Sequence, residues 1–124
     1  MAGGRGYQDL IAWQKAMDLA EATYRATGDW PTDERYKLTD QVRRSAISIP
    51  SNIAEGQGRG STREFAYHLS VAHGSLCELE TQLRLSQRLS YVDATVLDAL
   101  LQQAAEVGRL IQGLLRKLRS PASS

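Results

Sequence analysis

The chain has 124 residues, 42% of them hydrophobic, and a formal net charge of +1. That is one domain of ordinary size, and it excludes the strong overall positive charge that makes a whole surface attractive to nucleic acid. A single phenylalanine and a single cysteine, Cys77, imply an aliphatic core and exclude an intrachain disulfide, which points to a reducing cytoplasm; no apolar run nears the ~20 residues of a membrane span, and "MAGGRGYQDL" carries no apolar leader.

In the first periodic segment, "DLIAWQKAMDLAEATYRATGDW", Leu10, Trp13, Met17, Ala20 and Tyr24 recur at alternating spacings of three and four. This predicts an amphipathic helix packed through that stripe. Gly28 stands as a helix-ending glycine, and Trp30-Pro31 does not continue a helix. In the second segment, "TDERYKLTDQVRRSAISIPSNIAEG", Thr32 reads as an N-cap with Asp33 and Glu34 in the first turn. Leu38, Val42, Ala46, Ile49 and Ile53 form its stripe, and Gly56 and Gly58 punctuate its end. The third, "STREFAYHLSVAHGSLCELETQLRLSQRLS", opens on a capping box, Ser61 with Glu64. Phe65, Leu69, Ala72, Leu76, Leu79 and Leu83 follow, and Gly74 marks a place where another helix comes close. The fourth starts near Ser90 or Asp93. It carries Leu97, Leu101, Ala104, Gly108, Ile111, Leu115 and Leu118, widened by Leu100, Val107 and Leu114, and ends at Pro121.

Nothing alternates with period two. Four helices and short loops predict an all-α, antiparallel up-down-up-down four-helix bundle over residues 1–124, with irregular ends at about 1–6 and 120–124. Leu85, Leu89, Leu100 and Leu114 lie beside the main stripes, apolar surface left over for a partner subunit.

Pro50 falls inside the second helix. It has no N–H and crowds the carbonyl of Ala46. The stripe keeps its phase from Val42 to Ile53, which predicts one helix kinked at Pro50; the alternative is a break into two helices near Ile49. Asn52 and Glu55 share a face beside Ile53, so a structural polar network is expected there, partnered by Arg43, Arg44, Arg59 or the start of the third helix. The competing reading takes Arg43, Arg44, Arg59 and Arg63 as a contact surface for an anionic partner. A second basic cluster, Arg109, Arg116, Lys117 and Arg119, either complements the dipole of the last helix or belongs to the same contact surface.

Other chemistry finds no pattern. His68 and His73 have no glutamate three residues before them, and His73 with Cys77 makes only half a tetrahedral site, so no metal and no cofactor is expected. "GQGRG" lacks the lysine of a phosphate-binding loop, and Cys77 among leucines reads as an inert thiol. No catalytic residue is expected.

The most specific stretch, "QVRRSAISIPSNIAEGQGR" followed by "REF" and "AHGSLCELE", resembles the four-helix-bundle family named after 23S rRNA intervening-sequence proteins, and the likeness runs over residues 7–118. The resemblance implies a bacterial, non-enzymatic protomer that assembles into a ring-like homopentamer. It also extends to the accessory variability proteins of diversity-generating retroelements, which are basic and bind a reverse transcriptase and nucleic acid; this chain differs from them in being nearly neutral. The functional expectation is an oligomeric accessory or scaffold protein contacting RNA, or an RNA-bound protein such as a reverse transcriptase, through arginines. The alternative is a purely structural protein–protein module.

Overall fold

A computed structural model describes residues 6–119. Four helices carry most of them: α1 (Ile11–Ala26), α2 (Leu38–Gly58), α3 (Thr62–Arg88) and α4 (Ala94–Arg119), with 3-10 turns at Tyr7–Asp9 and Thr32–Glu34 and no strand among the described residues. Apart from Gly6, the expected irregular ends, and Pro121 with them, lie outside the described residues. Each helix packs on two others: α1 on α2 and α4, and α3 on α2 and α4. The four close around one aliphatic core that includes Leu19, Val42, Ile49, Ile53, Leu69, Leu79, Leu83, Val107 and Ile111. A side-chain ion pair, Lys15 to Glu106 at 3.9 Å, ties α1 to α4.

The helix ends follow local chemistry. Ser61 Oγ accepts the Glu64 amide at 3.1 Å, and Asp93 Oδ1 accepts the Val96 amide at 2.8 Å, each satisfying a donor that the first turn leaves open. α3 ends with Ser90 in the left-handed region, φ 66°. The Ser90 amide donates to Gln87 O at 3.0 Å and the Tyr91 amide to Ser86 O at 2.9 Å. This paired closure normally places glycine where Ser90 stands.

Most expected stripes face inward: Val42, Ala46, Ile49 and Ile53 on α2, Leu69 to Leu83 on α3, and Leu97, Ala104, Ile111 and Leu115 on α4 are all buried. α1 is the exception. Its buried residues are Ala12, Ala16, Leu19, Ala20 and Thr23. Of the expected stripe only Ala20 is among them; Met17 is 45% and Tyr24 41% exposed. Small inward side chains let α1 sit close to its neighbours, and Thr23 can face the core because its hydroxyl donates to Leu19 O at 2.8 Å.

Two further expectations change, and of the two readings of Pro50 the single helix stands. α2 begins at Leu38, not at Thr32, because Lys37 (φ −121°, ψ −107°) interrupts the helix. Thr32–Glu34 forms only a 3-10 turn, held from outside by the Tyr91 hydroxyl, which donates to Glu34 Oε2 at 2.8 Å. α2 runs through Pro50 as one helix, so the break near Ile49 is absent. And a Cβ placed on Gly74 would meet nothing within 4 Å, whereas one on Gly56 would come within 2.6 Å of His68 Cβ. The close approach of helices is at Gly56.

Candidate interaction surfaces on α2 and α3

Asn52 and Glu55 belong to a chain of polar contacts along the seam between α2 and α3. Ser48 Oγ and Ser75 Oγ are 2.7 Å apart. The Asn52 amide nitrogen donates to Ser48 O at 2.9 Å and Ser48 Oγ at 3.1 Å. Its carbonyl oxygen therefore faces His68 Nδ1, at 3.0 Å, which assigns the ring proton to Nδ1. The other ring nitrogen lies 4.0 Å from Glu55 Oε2. Glu55 in turn accepts from Arg59 at 2.6 Å, and Arg59 reaches Glu64 at 3.9 Å. Along this seam, rising positions on α2 meet falling positions on α3. The Arg59 guanidinium above all, with the neighbouring His68 ring second, holds the Glu55 carboxyl below its ordinary 4.5. The same bond raises the pKa of Arg59.

The sequence singles out Asn52 and Glu55, but their main partner across the seam is His68, which is buried. The sequence reads His68 as structural or incidental and does not single it out as part of this network. The available signal was its place beside Leu69 on the apolar flank of α3, together with a glycine, Gly56, on the facing helix.

The arginines divide. Arg43 Nε donates to Thr27 Oγ1 at 2.8 Å and a terminal nitrogen to Tyr24 O at 3.3 Å, with the guanidinium 4.5 Å from the Tyr24 ring centroid. Arg44 points elsewhere and donates to Asp40 at 2.8 Å. Arg59, just past the end of α2, lies sixteen residues beyond Arg43, about 24 Å at 1.5 Å per residue, and is paired as described. Arg63 is exposed and its side chain has no hydrogen-bond or ion-pair partner among the described residues. At the end of α4, Arg116, Lys117 and Arg119 are exposed, and Arg119 Nε donates to Leu115 O at 3.3 Å, the helix-end complementarity expected there.

On the outer side of α1 and α2 lies a groove of about 510 Å³, with Met17, Tyr24 and half-buried Trp13 on one wall and Ile47, Pro50 and Ala54 on the other. Ile47 is 44% exposed. Elsewhere, Cys77 is exposed and its sulfur lies 4.0 Å from His73 Nδ1. No three His, Cys, Asp or Glu side chains among the described residues group as metal ligands, and no described helix is long and apolar enough to cross a membrane.

A helical bundle with a polar seam, a separate apolar groove and dispersed arginines defines an all-α protein built around surfaces. The family model for the 23S rRNA-intervening sequence protein matches residues 8–113, and the chain belongs to that family. Among solved structures, a protein of unknown function from the S23 ribosomal protein family of Bacteroides thetaiotaomicron has a similar fold, with a TM-score of 0.79 at 20% identity, covering 86% of this chain and 96% of that one. No curated protein matches.

Proposed function

We propose that the protein is a non-catalytic, oligomeric cytoplasmic scaffold: an up-down-up-down bundle, its α2 bent at Pro50, that assembles with copies of itself through the groove between α1 and α2. The observation that carries this is the outward apolar face. Met17, Tyr24 and Ile47 stand exposed beside half-buried Trp13, apolar surface of a kind that monomeric proteins keep small. The opposite order of contacts along α2 and α3 supports the alternating topology, and the family resemblance favours five subunits. Light scattering on a size-exclusion peak tests it. The wild type should run at a multiple of 13.7 kDa, and Ile47→Glu should fall to the monomer mass with its helical spectrum intact. A wild type at 13.7 kDa overturns the reading.

A second reading adds contact with RNA or with a nucleic-acid-bound protein such as a reverse transcriptase. Two things favour it: the family's name, which ties its members to ribosomal RNA, and exposed Arg63. In an up-down-up-down bundle the start of α3 and the end of α4 share one end, so Arg59 and Arg63 would stand with Arg116, Lys117 and Arg119. Arg43 and Arg44 lie far along α2 and would form a separate contact. Structured RNA titrated at two salt concentrations should bind with a steep salt slope, flattened in Arg63→Gln/Arg116→Gln. Absence of binding at low salt would leave the scaffold alone.

A further inference from the structure

Where the chain turns from α1 into α2, Thr27, Trp30, Thr32, Arg35, Thr39 and Arg43 line a cleft of about 200 Å³. The lining holds two guanidinium groups and no carboxylate. Two of its side chains are buried and polar, yet Trp30 Nε1 and Thr39 Oγ1 have no hydrogen-bond partner. Trp30 is 7% and Thr39 6% exposed. Buried groups in that condition are rare, because water has been removed from them and nothing replaces it. Of the three such atoms among the described residues, the third being Gln82 Oε1, two sit on residues that line this cleft.

The chemistry of the lining selects a ligand. An indole N–H and a guanidinium only donate, and a threonine hydroxyl can donate. Arg43 is held in place by Thr27, Tyr24 O and the Tyr24 ring, with two of its five N–H groups engaged, so the others remain for a ligand. The Arg35 side chain is exposed and has no hydrogen-bond or ion-pair partner among the described residues. The carbonyls that end α1 would repel an anion, but Thr27 Oγ1 bonds Thr23 O and Tyr24 O, and Arg43 covers Tyr24 O as well. Asp29, Asp33 and Glu34 flank the lining in sequence without joining it, and Glu34 is engaged by the Tyr91 hydroxyl. The volume equals roughly seven waters at ~30 Å³ each, room for a phosphate-sized group with bridging water.

We propose that this cleft binds a tetrahedral oxyanion of the phosphate class, held by Trp30 Nε1, Thr39 Oγ1 and the guanidinium groups of Arg35 and Arg43. The site takes a small ligand and needs no second copy; it shares Arg43 with the RNA reading, and that guanidinium lies over Tyr24 of the groove, so Arg35→Gln, which touches neither of those readings, separates its failure from theirs.

The indole N–H signals in a nitrogen–proton correlation spectrum of the full chain report on it directly. The chain has two tryptophans, and Trp13→Phe assigns the remaining signal to Trp30. Inorganic phosphate at constant pH should move the Trp30 signal saturably and leave Trp13 in place, while sodium chloride of equal ionic strength does not. Arg35→Gln, a surface change, should weaken phosphate about tenfold, the scale of one charge-assisted hydrogen bond. Thr39→Val should weaken it several-fold and yet unfold no earlier than wild type, since it removes a hydroxyl with no partner. A nucleoside monophosphate that binds more tightly than phosphate would identify a nucleotide as the source of the group, and equal affinity would identify the free ion. A Trp30 signal indifferent to phosphate, moved equally by chloride, or unchanged in its response by Arg35→Gln overturns the proposal.

Discussion

Gly56→Ala tests the seam between α2 and α3 at its tightest point. In an ordinary helix interior, alanine is favoured over glycine by about 1 kcal/mol, so propensity alone predicts a gain. The structure predicts a loss. The new Cβ would lie 2.6 Å from His68 Cβ and 3.3 Å from Phe65 Cδ1, and at the first of these distances something must move. Neither atom is the free end of a flexible side chain, so the helices have to separate. Overpacking of this kind costs about 1–3 kcal/mol. Displacing His68 also strains its 3.0 Å bond to Asn52, and buried partners left unsatisfied cost a further ~1–3 kcal/mol. Against the ~1 kcal/mol of propensity, the net is a destabilisation of roughly 1–5 kcal/mol, or a fall in Tm of roughly 4–20 °C for a chain of this size. Gly74→Ala is the control. It lies in mid-helix with nothing within 4 Å, so it should gain up to about 1 kcal/mol. Thermal melts followed by circular dichroism, at one fixed protomer concentration, compare the two. A Gly56→Ala variant that melts with or above Gly74→Ala would refute the close packing at this seam.

Three other outcomes follow from particular bonds. Ser90→Gly should stabilise by about 0.5–1 kcal/mol in urea unfolding, because Ser90 holds φ 66°, a conformation that disfavours any side chain; a loss of stability would mean that the serine makes a compensating contact. Asn52→Leu should cost about 1–3 kcal/mol by leaving His68 Nδ1 without its partner, while Ser48 Oγ keeps Ser75; an unchanged urea midpoint would show that the seam contributes nothing. Folding lowers the pKa of Glu55 from 4.5, so its contribution is complete above about pH 4.5 and is lost as pH falls through the lower folded-state value; urea midpoints measured through that acid window should decline less steeply in Arg59→Gln, and parallel declines would remove Arg59 as the cause.

Three helices were legible because their apolar residues recur in phase and their ends carry short-range signals. Ser61 and Asp93 cap as side-chain chemistry requires, and Leu69, Leu76 and Leu83 can face only one way on a helix whose other faces are polar. The start of α2 was misread for a physical reason. Thr32, Asp33 and Glu34 have the composition of a first turn, but their conformation answers to a residue far along the chain, Tyr91, whose hydroxyl takes Glu34. The polar seam was half legible. Asn52 and Glu55 announce themselves beside Ile53, but His68 sits opposite them only because Gly56 has no side chain, and that fit depends on how two helices meet. The phosphate-class cleft left no pattern in the sequence at all, since Thr27, Trp30, Arg35, Thr39 and Arg43 converge through a turn between helices.

The misassigned stripe of α1 bears most directly on function. Size and spacing favour Trp13, Met17 and Tyr24 as the buried set, and in an isolated bundle they would be the better choice, since each large side chain removed from water contributes about 1.5–3 kcal/mol. The fold instead buries Ala12, Ala16 and Leu19 and leaves Met17 and Tyr24 exposed, where Ile47 of α2 joins them. A helix that keeps alanines inside and leaves Met17 and Tyr24 outside gives up burial in the monomer, and a second surface restores it only if it covers that face. α1 meets α2 and α4 within the chain on one side, and the proposed assembly would give its other side the second neighbour that covers it.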